Sequence, residues 1–324
     1  TLAPEPTVVH TVCTLDCPDA CSLAVTVQDG RIVKVDAAPE NPFTDGWICS
    51  KVRRHAQRVH APERVLTPLV RVGPKGAGEF RPATWEDALA LVAGRIRGAI
   101  DTSGPDAVVA FTYNSSAAAV ERNSMTEALF EALGATVAEH TICAHTMGVA
   151  WDSVYAGMPS ADPADVVHSR HVVIWGANPT MSNTHFPPLV QAAVDAGAKV
   201  VVVDPRRTAM AARADLHLPI LPGTDLWLGA GHLDRDFAAA HAEGAEEFLV
   251  HSREWSLGRA AEVTGLDPDD IRTFATWWGT TRPSMLRIGW GQERNGNGGA
   301  ACRAILALPV LGGHFGTPGS GVIG

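Results

Sequence analysis

Beyond residue 100 the chain alternates between short apolar runs and stretches of helical period. The runs at 107–111, 171–176, 199–204 and 285–289 are largely apolar and read as buried strands. Between them, 124–133 and 189–196 space their apolar positions as helices do, and each stops at a glycine, Gly134 and Gly197. A further helix ends at 274–278, and 303–311 reads as helical despite Pro309. Buried strands separated by helices make βαβ units, so the pattern predicts a doubly wound α/β architecture around a parallel sheet. The first hundred residues differ. Two β-like stretches, 24–27 and 31–35, flank Gln28-Asp29-Gly30, which reads as a hairpin turn. After a turn-rich segment at 73–78, Thr84 is positioned to cap a helix, with Asp87 three residues on. Ala88, Leu89, Leu91, Val92 and Ile96 follow at helical spacing.

Composition narrows the function classes. At 46% hydrophobic and 19% charged residues the chain is globular rather than disordered. Its 324 residues suggest about two or three domains and a core that needs no disulfide scaffold. With 26 basic against 35 acidic residues the net charge is -9, which argues against a nucleic-acid partner or a polybasic membrane surface. No apolar run is long enough for a membrane span. The first residues show neither a basic n-region nor an apolar h-region, so the expected location is the cytoplasm, although a processed leader would leave no trace.

The cysteines change the picture most. Cys13, Cys17, Cys21 and Cys49 form C-x3-C-x3-C-x27-C, while Cys143 and Cys302 stand apart. Thiolates are soft ligands that suit iron–sulfur clusters and zinc. Three closely spaced cysteines on a wrapped loop can supply three corners of a cubane, and Cys49 would return after the hairpin to supply the fourth. The paired C-x2-C knuckles usual for zinc do not occur. Zinc, two disulfides and unrelated buried thiols remain the alternative readings of the spacing.

The motifs that follow resemble a known family. Cys49-Ser50-Lys51 leads to His60-Ala61-Pro62-Glu63-Arg64-Val65-Leu66-Thr67-Pro68-Leu69, then Arg71-Val72-Gly73 and Thr84-Trp85-Glu86-Asp87-Ala88-Leu89. This ordered string resembles the N-terminal part of the prokaryotic molybdopterin oxidoreductases, which include formate dehydrogenases, periplasmic nitrate reductases and dimethyl sulfoxide reductases. The resemblance implies that Cys13, Cys17, Cys21 and Cys49 bind a 4Fe–4S cluster and that Lys51 lies beside it toward the pterin. It implies a β-rich cluster domain at 1–65, the first part of an α/β domain at 66–135, and a Rossmann-like α/β domain binding the pterin dinucleotide at 136–324. The family's C-terminal β-barrel-like domain has no counterpart before Gly324. A chain without it is expected to hold the bis-pterin cofactor poorly. Only eight positions, 226–233, precede Asp234-Arg235-Asp236-Phe237, too few for the family's usual helix there.

Three further elements carry candidate chemistry. Trp175-Gly176-Ala177-Asn178-Pro179 closes a strand, and a glycine there lets backbone approach a phosphate. Asp204-Pro205-Arg206 ends the next strand with a carboxylate for ribose and an arginine for phosphate. Leu221-Pro222-Gly223-Thr224-Asp225 adds a turn and a second carboxylate. No G-x-G-x-x-G follows a strand, so ordinary NAD binding loses support. By the resemblance, Gly176, Asn178, Asp204, Arg206, Gly223, Thr224 and Asp225 bind the guanine-dinucleotide arm of a pterin. Gly291 and Arg294 belong to another pterin-facing loop, 289–299. Cys143 falls where the family places its molybdenum or tungsten ligand, and His145 two residues on is a candidate proton carrier. Formate dehydrogenases have histidine directly after the ligand; here Ala144 intervenes, which counts against formate. Cys302 reads as core.

The implied function is two-electron redox of a small substrate at Mo or W held by bis-molybdopterin guanine dinucleotide. Electrons would pass through the cluster to a redox partner protein or subunit. The alternative is a non-catalytic iron–sulfur electron-transfer subunit with a vestigial pterin fold.

Overall fold

The computed structural model describes residues 5–112, 125–139, 143–225 and 233–324. The chain divides into two compact units, residues 1–140 and 141–324. The segment 226–233, expected to be too short for the family's usual helix, lies outside the described residues except for its last position.

The first unit opens with an antiparallel meander of β1 (Thr7–Val12), β2 (Ser22–Gln28) and β3 (Arg31–Ala37). The turn from β2 to β3 falls at Asp29 and Gly30, both at positive φ (50° and 72°). That is the backbone whose twist matches a hairpin. Two short helices follow, α1 (Ser50–Arg53) and α2 (His55–Val59). Leu23, Val35, Ile48 and Val52 make a small core with Cys21, and Cys13 and Cys49 pack against it.

A ribbon of β4 (Leu69–Arg71) and β5 (Phe80–Pro82) leads to the long helix α3 (Trp85–Ser103). The Thr84 hydroxyl accepts the Asp87 N–H at 3.1 Å, as the capping pattern predicted. The apolar stripe of α3 is exposed, with Trp85 at 70% and Leu89 at 62% accessibility. The run at 107–111 forms only a two-residue strand, β6 (Val109–Ala110), paired in parallel with β7 (Thr136–Val137) beyond α4 (Glu127–Ala132). The reason is local: Gly104 at φ 84° and Pro105 turn residues 105–107 into a 3-10 turn before the strand begins.

The second unit is a three-layer α/β structure. After α5 (His145–Tyr155) come β8 (His171–Trp175), α6 (Pro179–Ser182), α7 (Phe186–Asp195), β9 (Lys199–Val203) and β10 (Leu216–Leu218). Then follow α8 (Arg235–His241), α9 (Ala245–Ser252), α10 (Leu257–Thr264), α11 (Pro268–Thr280), β11 (Ser284–Ile288), α12 (Gly298–Gly312) and β12 (Gly321–Ile323). The five strands pair in parallel in the order β10-β9-β8-β11-β12. Alternate residues divide between two cores. Val172, Ile174, Val200 and Val202 face Phe186, Val190 and Val166. Val173, Trp175, Val201, Val203 and Leu286 face α5, α11 and α12 through Trp151, Phe274 and Ile305. This two-sided burial explains why β8 and β9 read as unbroken apolar runs.

The chain leaves β8 toward β9 and β10 on one side, and β11 continues to β12 on the other. The strand order therefore reverses between β8 and β11, and ligands of open α/β sheets bind at the carboxyl ends of the strands beside such a reversal.

Two buried histidines on this scaffold should make the unit acid-sensitive. His171 is fully buried, its Nε2 has no hydrogen-bond partner, and Trp277 and Trp278 meet it edge-on. Burial, then the His314 and Lys199 charges, hold its pKa down at about 3. Burial and the Arg282 charge hold His314 at about 4. Both values lie below the ordinary 6.5 of an unfolded chain. The unfolded state thus binds protons that the folded state refuses. Stability is full above pH 6.5 and is lost as pH falls from there toward 4 and 3. The loss approaches about 1.4 kcal/mol per pH unit for each histidine. Guanidinium midpoints followed by tryptophan fluorescence at several pH values measure it. A profile in wild type no steeper than in His171→Gln contradicts this account.

Candidate functional site

The cysteine loop is closed by its own backbone. The Cys13 N–H donates to the Cys21 carbonyl at 2.8 Å, and the Ala20 N–H donates to the Cys17 carbonyl at 3.2 Å, with Ala20 at φ 44°. The Asn41 amide donates to the Ala20 carbonyl at 3.1 Å and ties the segment before Cys49 to this loop. None of the six cysteines is in a disulfide. Burial first, then the Asp19 charge and those of Cys13, Cys17 and Cys49, push the Cys21 thiol up to about 12. Cys13, Cys17 and Cys49 thus lie close enough to Cys21 for their charges to reach it. Burial also raises Cys17, to about 11, while the nearby Lys51 ammonium pulls the other way. Thiols such as Cys17 and Cys21 that resist ionisation alone suit a ligand set whose metal supplies the positive charge on binding.

The second site is the crevice at the sheet reversal, where four loops meet. Gly176, after β8, has φ 58° and stands against the Gln292 carboxamide. Gly289, after β11, donates to the Trp175 carbonyl at 2.8 Å, and Gly291 donates to the Gly176 carbonyl at 3.3 Å. A Cβ on Gly289 would lie 2.3 Å from that Gly176 oxygen, so this approach requires glycine. Asn297 donates to the Gly223 carbonyl at 2.8 Å and binds the 289–299 loop to the 221–225 turn. Within that turn the Thr224 hydroxyl donates to the Leu221 carbonyl.

Two buried carboxylates face this region. Asp225 is 8% exposed, and its Oδ1 accepts the Trp175 indole N–H at 2.8 Å. Burial raises its pKa, opposed by that hydrogen bond. Trp175→Phe removes the donor while keeping the ring, so an expected cost of about 1–3 kcal/mol appears as a lower denaturation midpoint. Asp204, after β9, accepts the Arg206 N–H at 2.8 Å, and its carbonyl meets His217. Arg206 and Arg294 are exposed. Asn178 is half-buried, with its Oδ1 accepting the Thr180 hydroxyl. Gly289, Gln292, Glu293 and Asn297, from the 289–299 loop expected to face the pterin, belong to the same constellation, and so does Trp175, which was read only as the end of a strand. The position of Trp175 directly before Gly176 was the available signal.

Cys143 is half-buried just before α5, and His145 is the exposed first residue of that helix. Thr141 and Ile142 lie outside the described residues. Cys302 is fully buried in α12, as expected for core, and burial with the charges of Glu293 and Asp225 pushes its thiol up to about 12.

A parallel sheet with glycine-crowded loops at its reversal, in one chain with a unit that brings Cys13, Cys17 and Cys49 within reach of Cys21, is the arrangement of a metal- and cofactor-binding protein. The comparisons agree. The family model described as molybdopterin oxidoreductase matches residues 64–324, and its Fe4S4 domain matches residues 6–61. The chain belongs to the molybdopterin oxidoreductases, whose cofactors are a 4Fe–4S cluster and a molybdopterin holding Mo or W. It is 33% identical to the probable oxidoreductase YoaE of Bacillus subtilis, over 98% of this chain and 48% of that protein. It is 27% identical to the dimethyl sulfoxide reductase DmsA of Escherichia coli, over 96% and 44%. The acetylene hydratase from Pelobacter acetylenicus superposes with a TM-score of 0.74 at 28% identity, over 96% of this chain and 44% of that one. The chain spans about half the length of the curated relatives it matches. Among the described residues no helix is long and apolar enough to cross a membrane.

Proposed function

We propose that this chain forms the cluster domain and dinucleotide-binding portion of a bis-molybdopterin guanine dinucleotide enzyme that carries out two-electron redox on a small substrate. The observation that carries the reading is the convergence of Cys13, Cys17, Cys21 and Cys49 beside Lys51 in a chain that also builds the glycine-lined crevice. The donor set and the crevice fit the family's cofactors. When bound, those cofactors supply two-electron exchange at the metal and one-electron relay at the cluster.

The remaining roles belong to the chain's own residues. The four cysteines hold the cluster. Lys51 places a positive charge near Cys17, where it favours an added electron. Gly176 and Gly289 leave room for backbone to approach a diphosphate. Asp225, oriented through Oδ1 by Trp175, keeps a second oxygen for a donor such as a guanine N–H. Asp204 can accept from ribose hydroxyls, and Arg206 and Arg294 can meet phosphates. Asn178, Gly223, Thr224 and Gly291 shape the surrounding loops. Cys143 supplies a thiolate to Mo or W, and His145 carries a proton at an imidazole nitrogen. A redox partner protein or subunit takes up the electrons.

Metal and pterin analysis of anaerobically purified protein tests the reading. Iron and sulfide in cubane proportion together with Mo or W and guanine nucleotide support it. Iron alone, in protein purified together with any sequence its reading frame encodes past Gly324, overturns it in favour of an electron-transfer subunit. A dye-linked screen of oxo-acceptor substrates and formate then identifies the substrate.

A further inference from the structure

We propose that Glu293 is a positioning residue whose carboxylate ties the start of α5 to the crevice loop and so fixes where the Cys143 thiol stands. The inference rests on Cys143 as the metal ligand. Its geometry is independent of that reading.

Helix α5 begins two residues after Cys143 and has no side-chain cap of its own, because its N-cap residue is Ala144. Its first N–H groups therefore need an outside acceptor. Glu293 Oε2 accepts the Met147 N–H at 2.9 Å from 146 residues away. A carboxylate is the favoured partner at this end of a helix. The Glu293 side chain is only 1% exposed, so this bond forms away from water, where a charged acceptor is strongest.

The loop that carries Glu293 has little freedom to drift. Gln292 donates to the Trp175 carbonyl at 3.1 Å, which anchors the loop to the end of β8. A Cβ on Gly298 would lie 2.6 Å from the Glu293 Cα, so α12 starts hard against it. A Cβ on Gly299 would come within 3.5 Å of the Thr146 methyl, so the loop and the first turn of α5 are neighbours. The second oxygen, Oε1, is buried without a hydrogen-bond partner, 3.5 Å from the Arg294 guanidinium. One carboxylate oxygen thus serves α5, and the other lies toward a cation of the crevice loop. The Glu293–Met147 bond sets the distance between the Cys143 segment and the loop expected to face the pterin.

The test follows alkylation of Cys143 by iodoacetamide in the full chain freed of cofactor, read by peptide mass spectrometry. Half-buried Cys49, in the first unit, serves as the internal reference, since the Glu293 charge bears on Cys302 itself. Glu293→Ala is expected to raise the Cys143 rate about tenfold, the loss expected of a charged hydrogen bond, with Cys49 unchanged. Glu293→Gln keeps an acceptor oxygen at the same reach and should restore protection. Should Glu293→Ala fail to fold, Glu293→Asp carries the comparison, since it is one methylene too short and should expose Cys143 where Glu293→Gln does not. Equal Cys143 rates in the long and short variants, or rates that rise together at Cys143 and Cys49, overturn the proposal. X-ray absorption at Mo or W in the loaded protein and in Cys143→Ala, measured alongside, separates the two failures. An unchanged number of sulfur neighbours refutes Cys143 as ligand, whereas the alkylation rates judge the tie.

Discussion

Cys21→Ser is expected to strip the iron from the first unit. Serine is nearly isosteric with cysteine, but its hydroxyl is a hard, weakly acidic ligand and a poor match for iron in a cubane. Cys21 is 5% exposed and packs with Leu23, Val35, Ile48 and Val52, while its backbone carbonyl already accepts the Cys13 N–H. The substitution leaves those interactions available and removes chiefly the sulfur. Iron and sulfide content and visible charge-transfer absorption should fall to background. The unfolding midpoint of the first unit should also fall, because metal binding is folding free energy for a small core. Guanine nucleotide bound to the second unit should persist, and dye reduction should be lost. Retention of a full cubane would remove Cys21 from the ligand set.

Gly289→Ala should cost the second unit about 1–3 kcal/mol, lowering its thermal midpoint by roughly 3–10 °C. The new methyl would meet the Gly176 oxygen at 2.3 Å and Ala177 Cβ at 2.7 Å. Neither neighbour can yield easily, since the Gly289 N–H donates to Trp175 and the Gly176 N–H to the end of β9. Relief must come from parting β8 from β11 at the crevice, so retained guanine nucleotide should drop as well. Gly296→Ala in the same loop is the control. Its Cβ would meet nothing within 4 Å, and it should leave both readouts unchanged.

What was legible in the sequence was chemistry carried by local spacing. The cysteine loop, the Asp29-Gly30 turn, the Thr84 cap and the two-sided apolar runs of β8 and β9 each stand within a short window. The edge strands β10 and β12 were not read, because three residues carry no periodicity, and they are strands only through pairing with β9 and β11. Helix α7 starts at Phe186 rather than 189, since Pro187 suits a first turn and the apolar spacing alone did not mark it. The site was half legible. Asp225 was expected from its turn, but its Trp175 partner lies 50 residues away. The Glu293–Met147 bond was invisible for the same reason, as no short window contains both ends. The exposed stripe of α3 shows the converse limit, for spacing reveals that a helix has an apolar face but not what lies against it.

The pairing of β8 with β11 also imposes an order in time. Its register joins His171 to Ser284, more than a hundred residues later in the chain. At about 5–20 residues per second, synthesis takes roughly 6–20 s to bring the second strand after the first. All four cysteines of the cluster have emerged long before, within the first 49 residues. Iron can therefore be delivered to a chain still being made, whereas the crevice does not exist until β11 arrives. In the interval β8 presents an apolar edge that wants a strand. Cells starved of a holding chaperone should lose the dinucleotide-loaded protein before they lose the iron-loaded one.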